Sequence, residues 1–170
     1  MFQLERSDII AYTAIPYAEL RRLLDLWRDL AGVSTLPRID RLDLRWLADL
    51  LPRLVLVKVR DVSEFEYIYF GSGSAIPALK GMAGKSLSEF PNSDHAKMAS
   101  LHYQEVVDQR RPVCRHVIGR YGAGPYEYMR VTLPFTTDGT VLDRLLVAIK
   151  GIAVPEELTP AANQPLRSIA

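Results

Sequence analysis

The sequence has one cysteine, almost no net charge and no long apolar run. Cys114 alone cannot close an internal disulfide or build a cysteine-rich zinc site. The 21 basic and 20 acidic residues leave a net charge of +1, so no global field attracts nucleic acid. The longest apolar stretch, residues 145–149, is too short to span a membrane, and residues 1–10 include charges that a signal peptide would exclude. We therefore expect a cytoplasmic protein that neither binds nucleic acid nor inserts into a membrane.

The 170 residues suffice for one domain, and 48% of them are hydrophobic, which is enough to bury a core. Apolar residues recur every three to four positions over residues 17–31, which predicts an amphipathic helix that ends at Gly32. A leucine stripe predicts a second, shorter helix over residues 43–51, with Asp40 or Asp43 as its cap. Residues 1–52 are therefore predicted to form an N-terminal helical extension.

Residues 53–153 have the pattern of an α+β core. Two apolar runs at residues 54–59 and 65–70 predict a hairpin, and residues 95–109 predict a long helix. Three further strands follow and are joined by turn sequences. We expect a five-stranded antiparallel sheet with the inserted helices packed on one face, and a loose tail over residues 154–170.

Several short segments occur in the order seen in a bacterial family of stand-alone PAS-like proteins, which this chain resembles over about residues 17–152. The matching segments are Leu26-Trp27-Arg28-Asp29-Leu30, Leu50-Leu51-Pro52-Arg53-Leu54, Tyr69-Phe70-Gly71-Ser72, Gly84-Lys85-Ser86-Leu87, Arg110-Arg111-Pro112-Val113, Leu133-Pro134-Phe135, Asp138-Gly139 and Asp143-Arg144-Leu145-Leu146. The resemblance implies a PAS-like fold and a sensory or regulatory role. In that role the domain binds a small molecule or a signalling protein and carries no output domain of its own.

Tyrosines supply polar groups to segments that are otherwise apolar. A mostly apolar pocket with a few hydroxyl groups is the usual form of a small-ligand site. The alternative is that each tyrosine lies at the edge of the core with its hydroxyl in water. The candidate pocket residues are Tyr69, Ser72, His102, Tyr103, His116, Met129 and Val131.

Alternation along the fourth predicted strand divides its side chains between two faces. Met129, Val131 and Leu133 share one face, which we expect to be covered by the inserted helices. Arg130 is then expected to face solvent or an interface. It could capture a carboxylate only if the two faces are exchanged.

Catalytic and cofactor sites are harder to assemble. Cys114 and His116 lie two positions apart on a strand, roughly 6.5 Å between Cβ atoms, which is long for a thiol–imidazole hydrogen bond. His95 and His102 are about 10 Å apart along a helix, too far to share one metal ion, although one histidine could ligate a haem. A flavin photosensor needs its cysteine in the helical region, where this chain has none. We expect no enzyme, no metal and no haem or flavin.

The first predicted helix offers an interaction surface. Its apolar stripe must cover the protein's own sheet or pack on a second subunit, and the pattern does not decide between them. The resemblance favours a homodimer. The stripe consists of Leu20, Leu23, Leu24, Trp27 and Leu30. The two leading hypotheses are a small-molecule sensor and an adaptor of the same fold whose core is filled by its own side chains.

Overall fold

A computed structural model describes residues 2–61, 63–73, 81–90 and 93–154. Its strands are β1 (Phe2–Ile9), β2 (Leu54–Asp61), β3 (Glu64–Phe70), β4 (Val113–Tyr121), β5 (Gly124–Thr136) and β6 (Leu142–Ala153), and its α-helices are α1 (Ala18–Ala31) and α2 (Ser93–Gln109). Short 3₁₀ turns connect several of them. The strands form a six-stranded antiparallel sheet in the order β1-β4-β5-β6-β2-β3. The α+β class and the antiparallel sheet were expected from the sequence.

The sixth strand, β1, was missed by the sequence analysis, which placed residues 1–52 in a helical extension. This strand pairs with β4 at the edge of the sheet, and a register shift falls between Leu4 and Arg6. Only Phe2 is fully buried, while most of the strand is exposed and carries charges. The sequence therefore has no alternating apolar pattern that would predict this strand. Gly119 of β4 is required for this pairing, because a Cβ there would collide with the backbone oxygen of Gln3.

The helix predicted over residues 43–51 is also wrong. The structure has 3₁₀ turns at Leu44–Leu47 and Leu51–Arg53 instead. Leucines three residues apart stack on one side of a 3₁₀ turn as readily as on an α-helix, so the stripe does not distinguish the two. The predicted cap at Asp43 is present, since its side chain accepts a hydrogen bond from the backbone N–H of Arg45. Leu47 and Leu50 are buried.

The two α-helices cover opposite faces of the sheet. The prediction for α1 is confirmed: it ends at Gly32, whose φ of 55° is the left-handed conformation that glycine tolerates. Its stripe packs on the protein's own sheet, with Leu20, Leu23, Leu24 and Trp27 buried and Leu30 half-buried. The helix α2 covers the other face. The predicted tail beyond residue 154 lies outside the described residues.

Candidate functional site

The centre of the candidate site is one face of β5. Tyr126, Tyr128 and Arg130 occupy alternate positions and therefore point to the same side of the sheet, toward α2. All three are buried, and Arg130 is only 3% exposed. The strand thus carries a guanidinium group and two phenol groups into the layer between the sheet and α2.

Arg130 is held in this layer by two residues of α2. Its guanidinium donates a hydrogen bond to Nδ1 of His102, and its Cζ atom lies 5.3 Å from the ring centroid of Tyr103. Because arginine only donates, Nδ1 of His102 accepts and the ring proton resides on Nε2. Nε2 lies 3.2 Å from Oγ of Ser7 in β1 and donates to it. The contacts of His102 therefore connect the edge strand to the buried arginine.

The histidines of this face are neutral. Burial, followed by the nearby charges of Arg130 and Arg115, lowers the pKa of His102 to about 2. His95, two turns nearer the start of α2, lies with its ring centroid 5.0 Å from the ring centroids of both Phe2 and Phe90. Burial and the charge of Arg130 lower its pKa to about 3. The imidazole that contacts Arg130 is therefore uncharged.

An acid of α2 is paired with another arginine. Glu105 of α2 forms an ion pair with Arg115 of β4, and Arg115 also donates to Oγ of Ser7 at 3.2 Å. Among the described residues, no carboxylate lies within ion-pair distance of Arg130. Within that part of the chain, its positive charge is met only by neutral partners.

The tyrosines around Arg130 differ in their hydrogen bonding. Tyr67 of β3 and Tyr103 interact across the layer, and burial raises the pKa of both hydroxyl groups. The hydroxyl groups of Tyr126 and Tyr128 are buried and have no partner among the described residues. Burial raises the pKa of Tyr128 to about 12 and that of Tyr126 well above its usual value, so both remain protonated donors at physiological pH.

The structure separates the pocket residues proposed from the sequence. His102 and Tyr103 lie in the α2 layer beside Arg130, whereas Met129 and Val131 point to the opposite face, under α1. The expectation that the inserted helices cover Met129, Val131 and Leu133 is therefore wrong, and so is the expectation of an exposed Arg130. The two faces of β5 are therefore the reverse of the prediction. The sequence could not distinguish them, because a helix covers each face and β5 has large side chains on both.

Three other candidates lie away from Arg130. A register shift between β2 and β3 moves Tyr69 to the α1 side, where it is 41% exposed and its hydroxyl donates to the backbone oxygen of Leu51 at 2.9 Å. Ser72 is exposed in the turn after β3. His116 lies on the α1 side of β4, and its Nε2 is 2.7 Å from a carboxylate oxygen of Glu127. No single void can therefore be lined by Met129, Tyr69 and Tyr103.

Cys114 is not positioned as a nucleophile. It is buried under α1, and burial raises its thiol pKa to about 12. The imidazole of His116 pairs with Glu127 instead of the thiol. Within the described residues no cluster of three or more metal-ligating side chains occurs.

An apolar groove of ≈ 330 Å³ lies at the rim of the α1 face. The 3₁₀ turns and β2 supply most of its wall, and Tyr69 closes one side. Its lining residues are Ile39, Leu42, Leu44, Leu51, Leu54, Leu56, Tyr69 and Leu146. This groove contains no charged or buried polar group, in contrast to the layer around Arg130.

The residues of this layer that were not among the predicted pocket residues are Ser7, Tyr67, His95, Tyr126, Tyr128 and Arg130. The usable signal was the alternation of Tyr126, Tyr128 and Arg130 along one strand, which places three polar groups on one face. No helix in the described part of the chain is long and apolar enough to cross a membrane. No protein-family model matches the chain, and no curated protein matches it.

Proposed function

We propose that the protein is a PAS-like sensory domain that binds a small molecule between the sheet and α2 and passes the signal to a protein partner. The order of elements that underlies the resemblance, namely two strands, a helical segment and three strands, supports this proposal. The observation that carries it is the pair of buried hydroxyl groups of Tyr126 and Tyr128, which have no partner among the described residues.

The cost of these hydroxyl groups argues for a role beyond packing. A buried polar group without a hydrogen bond is destabilising, so phenylalanine at either position would leave a purely structural core as stable or more stable. Both hydroxyls, both buried histidines and Arg130 lie on the α2 face. A ligand that accepts from the two tyrosines would offset this cost, and the free energy of folding would then depend on the ligand.

Ser7 offers a route from this layer to the surface. It contacts both His102 and Arg115, and it belongs to β1, an edge strand of the sheet. A ligand that shifts His102 would change these contacts and with them the position of an edge strand. The stripe on α1 is covered by the protein's own sheet, so a homodimer would have to use another surface.

Native mass spectrometry of freshly purified protein tests the proposal. The expected result is an extra mass that disappears on denaturation and is reduced in Tyr126→Phe/Tyr128→Phe. Met129→Leu, which changes the opposite face of the same strand, is the matched control and should retain the ligand. A bare chain that also shows no stabilisation by any member of a metabolite library would contradict the sensor and favour the adaptor hypothesis. The proposal retains a cytoplasmic location and no catalytic role.

A further inference from the structure

The charge of Arg130 calls for a partner that the described residues do not supply. Arg130 is only 3% exposed, and the contacts of its guanidinium are the imidazole of His102 and the ring of Tyr103. Arginine keeps its charge inside proteins, and a buried charge is unfavourable unless it is paired and hydrogen-bonded. Glu105 cannot serve, because it is paired with Arg115.

Two donors without acceptors lie on the same strand face as this charge. Tyr126 and Tyr128 have ring centroids 5.1 Å apart, and Arg130 is the next residue on that face. Their hydroxyl groups are buried and unpartnered among the described residues. One positive group and two neutral donors together form a set that an anion with two or more acceptor oxygens would satisfy.

We infer that the ligand of this layer is a small organic monoanion, a monocarboxylate with an apolar body, bound through its carboxylate by Arg130 and the hydroxyl groups of Tyr126 and Tyr128. This inference rests on the proposed function and specifies its ligand class.

The number of charges selects a monoanion. His95 and His102 are neutral, so within the described part of the layer Arg130 contributes the only unpaired positive charge. A monocarboxylate balances that charge, whereas a phosphate dianion would leave an excess negative charge in a buried site. A guanidinium also matches the two oxygens of a carboxylate geometrically.

The surroundings select an apolar body. The buried side chains of the α2 layer are aromatic and aliphatic, which favours an alkyl or aryl group over a sugar or a second acid. Those that border the polar cluster through ring or core contacts are Phe2, Phe65, Tyr67, Phe90, Met98 and Tyr103.

Calorimetric titration with sodium benzoate and sodium butyrate, against benzamide and butyramide, tests the inference. Each amide matches its acid in size and lacks the charge. We expect at least one acid to bind and to raise the melting temperature, and the matching amide to bind about 10- to 100-fold more weakly, the difference expected for charge-assisted hydrogen bonds. Equal affinity for acid and amide would overturn the inference.

Variants locate the binding. Arg130→Met should abolish the preference for the acid over the amide, while Met129→Leu should retain it. Arg130→Met removes an uncompensated charge, so we expect it to fold and to melt no lower than the wild type without ligand. If Arg130→Met does not fold, Tyr126→Phe/Tyr128→Phe serves instead and should weaken the binding of the acid several-fold. A preference that survives in the folded variant would contradict the assignment.

The failure of this inference is distinguishable from that of the proposed function. A retained ligand without an acidic group, identified by native mass spectrometry and lost in Tyr126→Phe/Tyr128→Phe, would contradict the inferred ligand class. It would still support the proposed sensory function. A bare chain that none of the four probes stabilises, and that no library compound stabilises, would overturn both.

Discussion

The two faces of the sheet are built from alternate residues of the same strands, yet they differ in chemistry. The face under α1 is lined by aliphatic residues such as Met129, Val131 and Leu133. The layer between the sheet and α2 contains Arg130, the two buried histidines of α2 and four buried tyrosines, which are Tyr67, Tyr103, Tyr126 and Tyr128. A core that served only stability would not need these buried arginine, histidine and tyrosine side chains, because burying polar groups is costly. Under the proposed function, the α1 face contributes stability and the α2 face would bind the ligand.

The largest expected effect is on the α1 face. Leu133 is fully buried on β5, so Leu133→Ala should lower the free energy of unfolding by about 3 kcal/mol through lost burial and a cavity. Urea unfolding followed by circular dichroism measures this. Because the residue points away from Arg130, the preference of the folded variant for an acid over its amide should be retained. Loss of that preference would show that the two faces are not separate.

The second prediction concerns the effect of low pH on the stability of the α2 face. The folded state holds His95 with a pKa of about 3, while the unfolded chain binds a proton near the ordinary value of 6.5. The unfolded state therefore binds more protons below pH 6.5, and the stability that this histidine contributes is lost as pH falls. By about pH 5 this loss is about 2 kcal/mol.

His95→Phe removes that dependence and keeps an aromatic ring between Phe2 and Phe90. Between about pH 6.5 and about pH 5, the stability of the variant should therefore fall less steeply than that of the wild type. The difference in slope corresponds to about one fewer proton bound on unfolding. Equal slopes would mean that His95 is protonated in the folded protein. Met129→Leu is the control, since it contains no titratable group and should match the wild type.

A smaller effect is expected where α1 meets the sheet. The indole Nε1 of Trp27 donates to the backbone oxygen of Pro134 at 2.7 Å in a buried position. Trp27→Phe removes the donor, leaves that oxygen unpartnered and should cost about 1–2 kcal/mol. Urea unfolding measures it, and Leu30→Ala, a half-buried position on the same helix, is a comparison for α1 packing without this hydrogen bond. An unchanged free energy of unfolding would show that water replaces the indole.

The sequence predicted elements better than it predicted faces. The periodicity of α1 and the apolar runs of β2 and β3 were sufficient because each has one strong pattern. The strand β1 was missed because an exposed, charged edge strand has no apolar alternation. The assignment of Arg130 failed for a different reason: alternation tells which residues share a face, and only the tertiary packing tells which helix covers it. The prediction for Tyr69 failed because of a register shift between β2 and β3, which no local sequence pattern predicts.

The smallest effect, and the one that sharpens the comparison most, is that of Tyr128→Phe. Tyr128 is 1% exposed and its hydroxyl has no partner among the described residues, so its removal should leave the ligand-free protein as stable as the wild type or more stable by up to about 1 kcal/mol. Urea unfolding of ligand-free protein measures this, and a loss above about 1 kcal/mol would reveal a partner for the hydroxyl. Stabilisation without ligand, together with weaker binding of the acid, is the signature of a group retained for recognition at the expense of stability.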